Sequence, residues 1–95
     1  MPVKNYKYKE IDGADQFTVP LWVGPGGFNV HIWGTFDATV KVYRSPDGSE
    51  DSWLEVNAMT DEISENGSET AGALYIVGVD SGDYTSGSVN VRIST

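Results

Sequence analysis

Asn29-Val30-His31-Ile32-Trp33 and Thr39-Val40-Lys41-Val42-Tyr43 alternate apolar and polar side chains, on either side of Gly34-Thr35-Phe36-Asp37-Ala38. A repeat of two is that of a β-strand, whose successive side chains leave opposite faces of the backbone. A hairpin turning over residues 34–38 sets Val30 opposite Val42 and Ile32 opposite Val40, which gathers these β-branched residues on one side. That side is the expected core. The same register gathers Asn29, His31, Trp33, Thr39, Lys41 and Tyr43 on the other side, where two aromatic rings stand among polar groups. This mixed face is the first candidate for binding.

The alternation extends in both directions. Strands are expected over residues 3–10, 16–23, 28–33, 38–44, 52–57, 73–79 and 88–93. Between them lie Asp12-Gly13, Gly24-Pro25-Gly26-Gly27, Pro46-Asp47-Gly48, Asn66-Gly67 and Ser81-Gly82-Asp83, all turn formers. No stretch repeats apolar residues at helical spacing, so the chain is read as all-β. The expected architecture is a single antiparallel β-sandwich of about seven strands, Ig-like or jelly-roll-like. In the last strand Val89, Val91 and Ile93 face inward and Asn90 and Arg92 outward. The sixth, Ala73-Leu74-Tyr75-Ile76-Val77-Gly78-Val79, is apolar on both sides and reads as a central strand or one covered by another subunit.

Ninety-five residues suffice for one domain, here 1–95, with residues 1–15 read as a docking arm. Six basic against fourteen acidic residues give a net charge of −8, which repels nucleic acid. Cysteine is absent, which excludes disulfides, thiolate metal sites and thiol catalysis. Neither an export signal nor a bilayer-spanning apolar run is recognisable, so a soluble protein made in the cytoplasm is expected. Charge is unevenly spread: no Lys or Arg occurs between Arg44 and Arg92, whereas Lys4, Lys7 and Lys9 make the first strand basic. Alternating with Tyr6 and Tyr8, these lysines could carry an edge strand onto an acidic neighbour.

Ser45-Pro46-Asp47-Gly48-Ser49-Glu50-Asp51-Ser52-Trp53 is a turn with a mechanism. Pro46 presets φ, and Asp47 accepts hydrogen bonds from the amides that follow it. The stretch resembles a degenerate Asp-box, a structural hairpin turn. Read with its flanks, Gly34-Thr35-Phe36, Ala38-Thr39-Val40, Ser45-Pro46-Asp47-Gly48 and Trp53 resemble a pattern of small tailed-phage virion proteins, namely capsid decoration or cement proteins and fibre modules. Gly82-Asp83-Tyr84 and the strand after it are similar to the end of the same group. One departure is that Asp37 runs directly into Ala38, without the glycine often found there.

Enzymatic readings find little support. His31 is the single histidine and no nucleophile elbow accompanies it. Asp47, Glu50 and Asp51 in one loop and Asp80 and Asp83 in another do not match a calcium-loop spacing. No catalytic residue, cofactor or metal ligand is therefore assigned. The resemblance implies a virion protein on the capsid exterior that binds the major capsid protein across neighbouring subunits. It also implies a homo-oligomer, a trimer ahead of a dimer, with neither nucleic acid nor membrane as partner. The alternative it leaves is a tail or head-fibre module binding host-surface carbohydrate, with Trp33 and Tyr43 as a stacking platform. Candidate partner-binding residues are Lys4, Tyr6, Lys7, Tyr8, Lys9, His31, Trp33, Lys41 and Tyr43.

Overall fold

A computed structural model describes residues 5–95. Lys4, one of the candidate binding residues, lies outside them. Among the described residues nine strands follow one another: β1 (Tyr6–Ile11), β2 (Gln16–Phe17), β3 (Leu21–Val23), β4 (Gly26–Ala38), β5 (Val40–Ser45), β6 (Leu54–Met59), β7 (Ile63–Glu69), β8 (Ala73–Val79) and β9 (Tyr84–Ser94). They form two antiparallel sheets, A in the order β1-β9-β4-β7 and B in the order β2-β8-β5-β6, with β3 also beside β8. Counting β2 and β3 as one interrupted strand gives two four-stranded sheets whose order is that of a jelly roll. Among the described residues no helix is long and apolar enough to cross a membrane.

The core lies between the sheets and is built from the alternation. Ile11, Ile32, Val40, Val77, Val79, Val89, Val91 and Ile93 are fully buried. Each is an inward residue of a period-two strand, and removing them from water is the main favourable contribution to folding. The strand over residues 73–79 is central, lying between β2/β3 and β5. Its Leu74 and Ile76 are half-buried on the outer side, while Tyr75 is 3% exposed on the inner.

The hairpin expected over residues 34–38 does not form. Strand β4 runs on through that segment, pairing Asn29 with Ser94 and Phe36 with Gly87, and a bulge at Asp37/Ala38 ends the ladder. The chain then crosses to sheet B, where the Thr39 amide donates to the Asp83 carbonyl over 2.8 Å. Val30 and Ile32 therefore face Val40 and Val42 across the core and do not pair with them. All four are buried as the alternation requires, at 5, 0, 0 and 2% exposure. Alternation fixes which side chains share a face of a strand and is silent about which strand lies alongside.

Three further differences have local causes. The strand expected over residues 16–23 is broken between β2 and β3, where Pro20 has no amide to give the ladder. Asn66-Gly67, expected as a turn, lies inside strand β7, where Gly67 pairs with Phe28. A Cβ on Gly67 would lie 2.5 Å from the Phe28 ring, so the glycine makes room for a side chain and does not turn the backbone. The stretch read as a docking arm is, over Tyr6–Ile11, an edge strand paired along its whole length with β9, from Tyr6↔Ser94 to Ile11↔Val89. It is held there because Ile11 is fully buried.

Candidate binding face

The bulge and crossover after β4 split the mixed face of the sequence reading into two. Asn29, His31 and Trp33 point outward from sheet A, whereas Lys41 and Tyr43 point outward from sheet B, on the far side of a core about 10 Å thick. Lys41 and Tyr43 are held there by carboxylates. The Lys41 ammonium lies 2.9 Å from Asp83 and 3.6 Å from both Asp80 and Glu55. Its hydrogen bond to Asp83 raises its pKa well above the ordinary lysine value. The Tyr43 hydroxyl donates to Asp80, which pushes its pKa up to about 12, and its ring packs edge-on against Phe17 at 5.8 Å. Two of the acids weighed for calcium thus hold a lysine. Among the described residues no group of three or more metal-ligating side chains could hold an ion.

On sheet A the pairing of β1 with β9 and of β9 with β4 assembles a different set. The register puts Tyr8, Arg92 and His31 in one row and Glu10, Asn90 and Trp33 in the next. Tyr8 stacks on Trp33 with ring centroids 5.9 Å apart and planes 29° from parallel, and the His31 ring lies tilted 4.8 Å from Trp33. The Tyr8 hydroxyl donates to Asn90 Oδ1 over 2.6 Å, which fixes the ring. The Arg92 guanidinium stands 4.7 Å above the Tyr6 ring, a cation–π contact. Tyr6, Tyr8, Trp33 and Arg92 together line a shallow hollow of about 340 Å³. Beside it Asn29 Nδ2 donates to Ser64 Oγ at 3.2 Å and to Asn66 Oδ1 at 3.1 Å.

Of the expected binding residues the structure brings together Tyr6, Tyr8, His31 and Trp33. Lys7 and Lys9 lie on the same strand but the opposite side, opposite Ile93 and Val91 at the rim of the core. Arg92 and Asn90 complete the face; their outward direction was legible in the sequence, but their neighbours were not.

A second feature went unread. Between β6 and β7 a cleft of about 380 Å³ opens onto Phe28, Val30, Val42, Val56 and Tyr75, with Asn57 and Glu65 at its rim. Glu69, 5% exposed, closes one end. Its carboxylate accepts from Arg44 Nε at 2.7 Å and Nη2 at 2.9 Å, from the Tyr75 hydroxyl at 2.7 Å and from the amides of Ala71 and Gly72 at 3.0 Å. Arg44 foremost, then Tyr75, holds the Glu69 carboxyl well below the usual range. In the sequence Glu69 is one acid among many in a basic-poor stretch, and nothing local marks it.

Fold and site together define a jelly-roll sandwich that displays an open aromatic surface with one arginine on one sheet. No family model, curated protein or solved structure matches the chain.

Proposed function

We propose that the protein is a structural component of a phage virion that decorates or cements the capsid shell, docking the face of Tyr6, Tyr8, Trp33 and Arg92 across neighbouring capsid subunits. The observation that carries this reading is the exposure of rings on an open sheet. Tyr6 and Tyr8 are 54 and 48% exposed beside a hollow too shallow to enclose a small molecule. Flat aromatic and arginine surfaces suit another protein, where such residues dominate interface energies. The resemblance of the Gly34-Thr35-Phe36 to Trp53 pattern to virion proteins supplies the context. The role is mechanical: a module that binds the assembled shell and not its free subunits adds its binding free energy to shell stability by mass action.

Carbohydrate binding by a fibre module is the second reading. One observation favours it, the Tyr8–Trp33 stack with Asn90 beside it, since sugar rings lie on aromatic faces with amides at their edges. The Trp33 and Tyr43 pairing first expected for that role is not made, because the two rings occupy opposite sheets.

Trp33→Ala, measured against empty expanded shells and a glycan array, tests both. Shell binding is expected to weaken by about thirtyfold, the loss typical of a central interface tryptophan. Loss of sugar binding alone would replace the decoration reading with the fibre reading. A fall in melting temperature beyond roughly 8 °C, more than about 1 kcal/mol for a domain of this size, would assign the ring to the fold and remove the face from both.

A further inference from the structure

Among the described residues sheet A has two edge strands, β1 and β7, each with one side of its backbone unpaired. Such edges recruit further strands unless something prevents it. Both edges here carry charge on the inward side, and the charges are opposite. On β1, Lys7 and Lys9 lie opposite Ile93 and Val91, half-buried at the rim of the core. Among the described residues, ion pairs are made by Lys41 and Arg44 and not by these two lysines. On β7, the exposed Glu65 lies opposite Val30 and overhangs the cleft of about 380 Å³.

We infer that β1 of one copy of this chain adds to β7 of a second copy, continuing sheet A across a head-to-tail interface. Charge selects this pairing over the others. Two β1 edges would set lysines against lysines, and two β7 edges would set Glu65 against its counterpart; only β1 beside β7 brings opposite signs together. Inward lysines also keep foreign strands from an edge, and a carboxylate on the partner edge removes that penalty.

Direction agrees with charge. Sheet A is antiparallel with an even number of strands, so β1 and β7 run in opposite directions. A second copy brought alongside in the same orientation presents β1 antiparallel to β7, the stronger ladder. The incoming Lys7 and Lys9 then reach over the mouth of the cleft. Their aliphatic stems cover Val56 and Phe28 at its wall while the ammonium groups approach Glu65. Such an interface is heterologous, and it closes into a ring when the rotation between copies permits.

The test needs no shell, so its failure is separate from failure of the docking face. Sedimentation velocity of the intact chain at about 100 µM, a concentration that reveals weak association constants, is expected to show an oligomer. Lys7→Glu/Lys9→Glu and, separately, Glu65→Lys should each associate at least about tenfold more weakly, as removal of a close interfacial charge pair does. An equimolar mixture of the two variants should assemble again, because each then offers an edge complementary to one on the other. Glu65 is exposed, so its variant keeps the test open if the lysine variant does not fold. A monomeric wild type, a Glu65→Lys chain that associates as wild type does, or a mixture of folded variants that stays monomeric would each overturn the pairing.

Discussion

Glu69→Ala is expected to lower stability by about 3 kcal/mol, the lower end of the cost of removing one partner from a buried ion pair, because Glu69 is buried whereas Arg44 is partly open to solvent. For a domain of this size that is a fall in melting temperature of roughly 12 °C or more. The effect is large because Glu69 answers several donors at once. Its loss leaves the Tyr75 hydroxyl and the amides of Ala71 and Gly72 without their acceptor, and Arg44 without its counter-ion. Each buried group left unpaired adds a desolvation penalty of about 1–3 kcal/mol. The pair also sets a pH dependence. Because the folded carboxyl titrates below its unfolded value of about 4.3, its contribution is complete above that value and is lost as the pH falls through the folded one. Denaturant midpoints followed from about pH 7 down to about pH 2, which crosses the unfolded carboxyl's value and approaches the folded one, should fall less steeply for Glu69→Gln than for wild type, with the difference appearing below the unfolded value. A Glu69→Ala midpoint within about 1 kcal/mol of wild type would show that the network contributes little to the fold.

Gly78→Ala should cost about 3 kcal/mol, the upper end of what overpacking usually costs. Gly78 pairs with Phe17 on β2 and with Lys41 on β5, on the outer side of a central strand. A Cβ there would lie 2.1 Å from the Gln16 carbonyl oxygen and 2.6 Å from the Phe17 Cα. These are backbone atoms, so no change of rotamer relieves the contact and β2 must move away as a unit. With it go the Thr18 amide bond to the Val77 carbonyl, at 2.9 Å, and the packing of Phe17 on Tyr43. Amide hydrogen exchange separates this from a general loss: the Thr18 amide should lose protection while those of β9 retain theirs relative to global unfolding. Equal loss at both would mean that β2 does not detach as a local unit.

Whatever depends on one strand at a time is legible along the chain. Period-two alternation made the chain all-β and placed Val30, Ile32, Val40, Val42, Val89, Val91 and Ile93 in the core, where each is buried. The turn at residues 45–49 was equally local, and the Asp47 side chain accepts from the Ser49 amide at 2.9 Å. This much was readable because alternation and turn chemistry are properties of neighbours in the chain. Strand β7 shows no apolar alternation because its inward positions are Ile63, Glu65, Gly67 and Glu69, of which only Ile63 is a large apolar residue. Partnership between strands was decided by the tertiary structure. Whether β4 folds back on β5 or passes on to pair with β9 depends on how two sheets close over one core, since non-local pairing leaves no mark in either strand alone. That choice sent Lys41 and Tyr43 to one side of the molecule and set Tyr8 and Arg92, distant in sequence, beside Trp33 and His31 on the other. It also brought Glu69 to Arg44 and Tyr75, because a carboxylate buried at the mouth of a sandwich persists only where the fold supplies donors from other strands.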